Sequence, residues 1–433
     1  MSPSPPDDDL TGADDLSEEG PAELRQLLHR RSVQRLLISR AAASSGAVTM
    51  AIAMGVYVFD ITGREADIGF VGLAEFLPTF LLVLWAGSMA DRMDRRRLAA
   101  VAYAAESIIA FVTAWYVTTG PTAIGPLLGL TVAYGAARGF ANPASRALPA
   151  NVVSRADLPR LIPALSAVWQ LAAVFAPLIV GVVYGIHPAW TFAVIGVLNA
   201  VAAVNLLRVK LHSPQEHSVE RPSMGDALRG LGLVCRSPLL LGAIGLDLMA
   251  VLLGGVVALA PPISKDLLNA PDGAPFWLRA AGGVGAMITA GLLARRPVER
   301  NIGRTLLIAV GVFGLLTVGV AFSRSLLITL ALFALLAAAD MVSVFIRATI
   351  VPLATPDSLR GRVLAVEAVF IGASNELGAF ESGITAQWFG LVPAIIAAGV
   401  GTMIVVGLFA VFMPELRRLD RFDEIGEVAT TPL

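Results

Sequence analysis

Charge is scarce in this chain. Only 15% of its 433 residues are Asp, Glu, Lys or Arg, whereas 56% are apolar, and the mean hydropathy is +0.74. A soluble globular protein carries about 25% charged residues, so too few polar side chains exist to cover a soluble surface of this size. That excludes a soluble enzyme, and equally a disordered or fibrous chain. Cysteine is almost missing: Cys235 stands alone, which excludes an internal disulfide and a thiolate metal cluster. The histidines are His29, His187, His212 and His217, all outside the apolar runs, so no metal or haem set is expected. An excess of either charge is lacking too. A net charge of −1 supplies no basic stripe for nucleic acid. Nor is there a Gly-x-x-x-x-Gly-Lys-Ser/Thr loop for ATP.

The first residues lack the charged-then-apolar opening of a cleavable signal. Rich in Pro, Ser, Asp and Glu, residues 1–22 have too little apolar surface to order themselves and are expected to form a disordered acidic leader. Ala22 to Arg35 follows, with Leu24, Leu27 and Leu28 opposite Arg25, Arg30 and Arg31. That pattern predicts an amphipathic helix lying at the lipid headgroups.

Crossing a bilayer takes about 20 apolar residues. Twelve such runs are read, near 36–59, 67–89, 98–118, 123–148, 161–184, 189–207, 238–262, 275–294, 304–322, 325–353, 363–388 and 391–413. With both termini cytoplasmic, the inside loops hold Arg92, Arg95, Arg96, Arg97, Arg155, Arg160, Arg208, Lys210, Arg221, Arg229, Arg236, Arg295, Arg296, Arg300, Arg304, Arg360, Arg362, Arg417, Arg418 and Arg421. The outside loops hold only Arg64, Lys265, Arg279 and Arg324. Cytoplasmic loops carry the Lys/Arg excess, so the asymmetry sets the orientation and supports an even number of spans.

The longest polar break, Arg208 to Arg236, divides the runs six and six. The expected organisation is an all-α membrane protein of twelve transmembrane helices in two six-helix bundles, 23–207 and 237–413. A linker over 208–236 joins them, and a cytoplasmic tail over 414–433 follows. Gly87 to Arg92 after span 2 aligns with Gly291 to Arg296 after span 8. Arg146, Ser154 and Leu158 align with Arg347, Thr355 and Leu359 at identical separations. Repeated halves about an axis along the membrane normal are a transporter layout, with substrate held near the midplane.

Between spans 2 and 3 stands Gly87-Ser88-Met89-Ala90-Asp91-Arg92-Met93-Asp94-Arg95-Arg96-Arg97. It resembles the loop signature of the major facilitator superfamily. Gly87, Asp91, Arg92 and Arg96 match, while Asp94 stands where the pattern prefers Gly. Small Gly87 allows close helix approach, and a carboxylate such as Asp91 can rest on the positive end of a facing helix. The resemblance implies a gate in which that helix is span 11, beginning near Arg362, with Arg92 and Arg96 adding charge to the latch. Arg295 replaces the aspartate in the second copy, leaving that copy an anchoring role.

Tyr57 to Gly63, Pro356 to Val363 and Asn375 to Gly383 are similar to the branch of that superfamily containing the enterobactin exporter and macrolide efflux proteins. Span 5 carries Ala176-Pro177-Leu178-Ile179-Val180-Gly181. Its Pro177 and Gly181 match the Gly-Pro-x-x-Gly-Gly of drug–proton antiporters. A proline removes a backbone hydrogen bond and bends the helix.

Ionisable groups inside a membrane are costly and usually functional. Here they are Glu75, Glu106, Arg138, Arg146, Asp247, Asp340, Arg347, Glu367, Glu376 and Glu381. Carboxylates can take a proton when desolvated, as a proton-coupled carrier requires. Arg146, Arg347 and Glu367 lie near helix ends, where snorkelling gives a structural role. The deeper proton or substrate candidates are Glu75, Asp247, Asp340, Glu376 and Glu381. Asp340 and Arg347 lie nearly two turns apart on one helix face and could pair, though about 10 Å separates them along the axis. On span 11, Glu376 points well away from Glu381, and Glu381, with Asp247, is favoured for the cavity.

These features together predict a proton-coupled exporter, an antiporter of small amphipathic molecules such as siderophores or drugs. It would work by alternating access as a monomer in a bacterial cytoplasmic (inner) membrane. The proton gradient would be its energy source, with no cofactor, metal, nucleic acid or catalytic residue. The competing readings are an importer of a siderophore or metabolite and a non-transporting receptor or scaffold.

Overall fold

The computed structural model of the protein describes residues 26–154, 156–212 and 231–428. The expected leader, Arg155, most of the 208–236 connection and the last five residues lie outside them.

Twelve long helices follow one another among the described residues: α1 (Arg31–Thr62), α2 (Glu65–Arg92), α3 (Arg95–Thr118), α4 (Gly125–Ala147), α5 (Leu158–Ile186), α6 (Pro188–Leu207), α7 (Pro238–Leu267), α8 (Ala274–Arg295), α9 (Ile302–Phe322), α10 (Leu326–Leu353), α11 (Asp357–Phe389) and α12 (Leu391–Phe412). Ten are long and apolar enough to cross a bilayer on composition alone. The other two, α2 and α4, match them in length at 28 and 23 residues. They carry Glu75 and Arg138 in mid-helix, and those two charges neutralise each other across the α2–α4 contact at 2.5 Å.

Helix contacts repeat with a step of six. Helix α1 packs on α5 and α6, α2 on α4, and α3 on α4 and α6. Likewise α7 packs on α11 and α12, α8 on α10, and α9 on α10 and α12. The close crossings repeat as well. A Cβ on Gly135 of α4 would collide with the Glu75 carbonyl of α2, and one on Gly285 of α8 with the Ala334 carbonyl of α10. Thr79 Oγ1 ties the first crossing by donating to the Gly135 carbonyl at 2.7 Å. Between α1–α6 and α7–α12 the main contacts are α2 on α11 and α5 on α8.

Both described chain ends pack on the helices, and the first differs from expectation. The segment before α1 does not lie free at headgroups: Leu27 is 1% exposed and shares a buried cluster with Leu36, Leu148 and Leu161. Burying that leucine under the bundle removes more apolar surface from water than an interfacial pose would. The segment after α12 folds back, with Leu416, Leu419 and Ile425 buried among α7, α9 and α10 side chains.

Helix α7 is broken. It is α-helical from Pro238 to Leu253, then passes Gly254 into a 3₁₀ turn at Gly255–Val257 and a π turn at Ile263–Leu267. Pro261 and Pro262 lack the N–H groups that a continuous ladder needs. Gly255 fits the break closely, because a Cβ there would meet the Gly378 carbonyl of α11 at 2.5 Å.

Candidate functional site

The side carrying the α2–α3, α8–α9 and α10–α11 turns holds Arg95, Arg96, Arg97, Arg295, Arg296, Arg360 and Arg362 and is the basic side; the opposite one is the far side. Described contacts between the two sets of six helices lie on the far side and at mid-depth. A Cβ on Gly69 or Gly383 would strike the Phe380 backbone or the Glu65 carbonyl, each at 2.6 Å. Gly181 and Gly273 bring α5 and α8 together, since a Cβ on Gly273 would lie 2.6 Å from the Gly181 carbonyl. Pro177 is buried one turn before Gly181. The span-5 motif thus sits at a crossing between the halves.

Asp60 latches this far side. Its Oδ1 accepts from Lys265 Nζ, on the outer piece of α7, at 3.1 Å. Its Oδ2 accepts from the Tyr184 hydroxyl at 2.6 Å. This ion pair joins α1–α6 to α7–α12. Among the described residues the basic side shows no such close approach between the halves, and there Leu81 and Trp85 of α2 are 65% and 73% exposed and Trp169 of α5 is 45% exposed. The described close contacts thus close the far side and leave the opening toward the basic side.

At the closed end of that opening lies a charge network. Glu75 and Arg138 form the pair from α2 and α4. Glu376 of α11 packs on α2, so that a Cβ on Gly72 would come within 2.8 Å of its Oε2. It stands within electrostatic range of Glu75, Arg138 and Arg279. Glu106, 1% exposed on α3, leans on Arg138 and leaves its Oε1 without a partner among the described residues. A Cβ on Gly372 would meet the Phe76 ring at 3.5 Å, and Phe76 stacks on Phe80, centroids 5.5 Å apart, extending an aromatic wall from the network toward the basic side.

Not all expected site residues gather here. Glu376, rather than Glu381, shares its surroundings with the charges of α2 and α4. Glu381 instead accepts from Thr385 Oγ1 on its own helix at 2.7 Å. Asp247 and Asp340 lie apart from this network, on one small cavity between α7, α9 and α10 with Ser343 and Phe313. In place of an Asp340–Arg347 pair, Arg347 reaches Asp247 at 2.8 Å and Glu367 at 3.6 Å, and is 4% exposed. It does not snorkel, because carboxylates from two other helices meet it inside the protein. Arg279, read from the sequence as an outside-loop charge, belongs to α8 and to the Glu376 network.

The loop motif is carried on the last turns of α2. The side chains of Gly87 and Asp91 lie outside the described residues. Arg92 is exposed, and Arg96 donates to the Val209 carbonyl at 2.9 Å and to Asp94 at 3.2 Å. Asp94 has its own task. Its Oδ1 caps α3 by accepting from the Arg96 and Arg97 backbone N–H groups at 2.9 and 3.3 Å, as an N-cap aspartate does. The second copy shows no close packing, since a Cβ on Gly291 would meet nothing within 4 Å.

Known proteins share this layout. The Major Facilitator Superfamily profile matches residues 36–350. The multidrug efflux pump Tap of Mycolicibacterium fortuitum is 26% identical over 412 residues, covering 89% of this chain and 97% of that protein. Its namesake in Mycobacterium tuberculosis is 27% identical over 400 residues, covering 89% and 94%. Among solved structures, an inward-facing, unoccupied bacterial homolog of the human lysosomal transporter Spinster superposes with TM-score 0.68 at 13% identity, over 93% of this chain and 98% of that one. The nucleoside transporter NupG superposes with TM-score 0.67 at 13% identity, over 89% and 98%. Repeated six-helix contacts, a gap open to one side and a profile covering most of the chain converge: this is a multi-pass membrane transporter belonging to the Major Facilitator Superfamily.

Proposed function

We propose that the protein is a proton-coupled exporter of small amphipathic, drug-like molecules in a bacterial cytoplasmic membrane, with both termini inside. The observation that carries this reading is the network at the closed end of the opening: Glu75, Arg138, Glu376 and Arg279, contributed by α2, α4, α11 and α8. Charges placed where two moving bodies meet are remade in each conformation, so a substrate or proton that alters them alters the equilibrium. The Phe76–Phe80 wall beside it offers an apolar surface, matching a ligand with one charged end. The relatives named as multidrug efflux pumps support export. None of them is named for a siderophore, so drugs are the arm of the substrate class that we retain.

On this reading the basic side is cytoplasmic and the structure is inward-open. The halves 23–207 and 237–413 rock as bodies, and one chain suffices. Far-side contacts at Gly69, Gly181 and Asp60 must separate when substrate leaves. Meanwhile Asp91, Arg92 and Arg96 would latch the basic side against the start of α11, the gate role that the loop motif implies. Here Arg96 is held within its own half, as an inward-open state demands.

The test is drug uptake into inverted membrane vesicles containing the protein, with and without an imposed proton gradient. Gradient-driven uptake that a protonophore abolishes is expected, and Glu376→Gln should reduce it. Uptake indifferent to the gradient would remove the antiport mechanism, and depletion from the vesicles would reverse the direction.

A further inference from the structure

Asp247 and Asp340 stand outside the central network, yet they share the walls of one cavity. It measures about 20 Å³ and is lined by Asp247, Ala250 and Val251 of α7, Val310 and Phe313 of α9, and Asp340 and Ser343 of α10. A site of about 10–15 Å³ suffices for one water, provided polar partners surround it. Partners are present. Ser343 is 2% exposed and its Oγ has no hydrogen-bond partner among the described residues, nor has Nε of the neighbouring Arg347. Buried polar atoms are nearly always satisfied by protein or ordered water.

Charge points the same way. Asp247, Asp340 and Glu367 surround a single guanidinium, that of Arg347. Arg347 contacts Asp247 at 2.8 Å and Glu367 at 3.6 Å. Asp340 has no ion-pair partner among the described residues, and α9 brings only Val310 and Phe313 to the cavity. Two buried carboxylates and the half-buried Asp340 around one cation repel, and a proton relieves that repulsion at the carboxyl without a counter-ion.

Position gives the site a mechanical output. Phe313 closes the cavity toward the break in α7, since a Cβ on Gly254 would lie 2.8 Å from its ring. Beyond the break the same helix carries Lys265, half of the far-side latch on Asp60.

We propose that the Asp247–Asp340 cavity is a one-water protonation site, separate from the central network, in which Asp340 takes and releases the proton. The change in charge is relayed through Arg347 and the α7 break to the far-side latch. This rests on the proton-coupled reading above and places the proton apart from the substrate.

The experiment uses the full chain in lipid nanodiscs, with Cys235→Ser removing the native thiol and spin labels at Arg64→Cys and Asp272→Cys across the far side. In otherwise unaltered protein the label distance should shift with pH across about pH 5 to 9. Asp340→Asn should fix one distribution throughout. Ser343→Ala, lacking one hydrogen bond to the water, should move the midpoint by about half a pH unit or more. A full pH response in Asp340→Asn would overturn the assignment while leaving proton coupling intact elsewhere. Should that variant not fold, an unmoved midpoint in Ser343→Ala would overturn it. No pH response before any charge is altered would sink both this site and the antiport mechanism. A response to sodium at fixed pH would make the cavity a metal-cation site and overturn the proposal.

Discussion

The two ends of α2 make opposite use of one helix. Near Glu65 it carries Gly69, and α11 lies so close there that a methyl group would strike the Phe380 backbone. Near Arg92 it carries Leu81 and Trp85, largely exposed. Backbone contact through glycine gives a fit that is either made or broken, with little between. Bulky side chains give a surface that can lie against lipid, substrate or the other half. The far side therefore acts as a shape-matched seal, and the polar latch on Asp60 adds to it rather than creating it.

That comparison can be broken by crowding the seal. Gly181→Leu should have the largest effect. Overpacking costs about 1–3 kcal/mol, which shifts the balance toward the far-side-open state by about five- to 150-fold. Label distances across the far side would read the shift, and an unchanged distribution would mean that the glycine contact is not the seal. Next come the central charges. Glu376→Gln should lower transport on the order of tenfold, the loss of about 1.4 kcal/mol. Glu381→Gln, whose partners are local, should change it only about twofold. The reverse ranking would return the site to the other face of α11. Smaller again is the latch. Lys265 is half exposed, and such pairs contribute about 0.2–1 kcal/mol. Lys265→Ala should therefore move the same label distances modestly, by about fivefold at most, and high salt should mimic it.

The smallest effect lies on the basic side, where Ser154 and then Arg30 hold the Asp157 carboxyl below its ordinary value. A carboxylate depressed in the folded state stabilises above its unfolded pKa, about 3.9, and loses that contribution as pH falls through the folded value. Melting curves of the protein and of Asp157→Asn should differ slightly at neutral pH and converge below about pH 4. A constant difference at all pH would remove the electrostatic explanation.

Helix number and order were legible from apolar runs, because lipid tolerates little else over that length. The Asp94 cap went unread, because Asp94 figured only as a departure from the loop pattern, although an aspartate just before a helix start is a residue type that caps. What stayed hidden was pairing between distant positions. Arg347 meets residues 100 positions before it and 20 after it, and its nearest acid along the helix face, Asp340, was the natural but mistaken partner. Helical geometry said that Glu376 and Glu381 diverge; only the close approach at Gly72 decides which one faces α2. Arg279 was misplaced because a charge at the start of an apolar run reads as loop, although α8 had already begun at Ala274.

The Glu75–Arg138 pair also constrains how the chain is made. A lone Asp, Lys or Arg at the centre of a membrane helix costs about 2.5–3.5 kcal/mol during insertion by the translocon, and a lone glutamate there is expected to fare similarly. Helices α2 and α4 each bring such a charge, and α3, which carries Glu106 of its own, separates them in order of synthesis. Helix α2 must therefore wait at the translocon until α4 emerges, so that nascent helices leave for lipid as a group rather than singly.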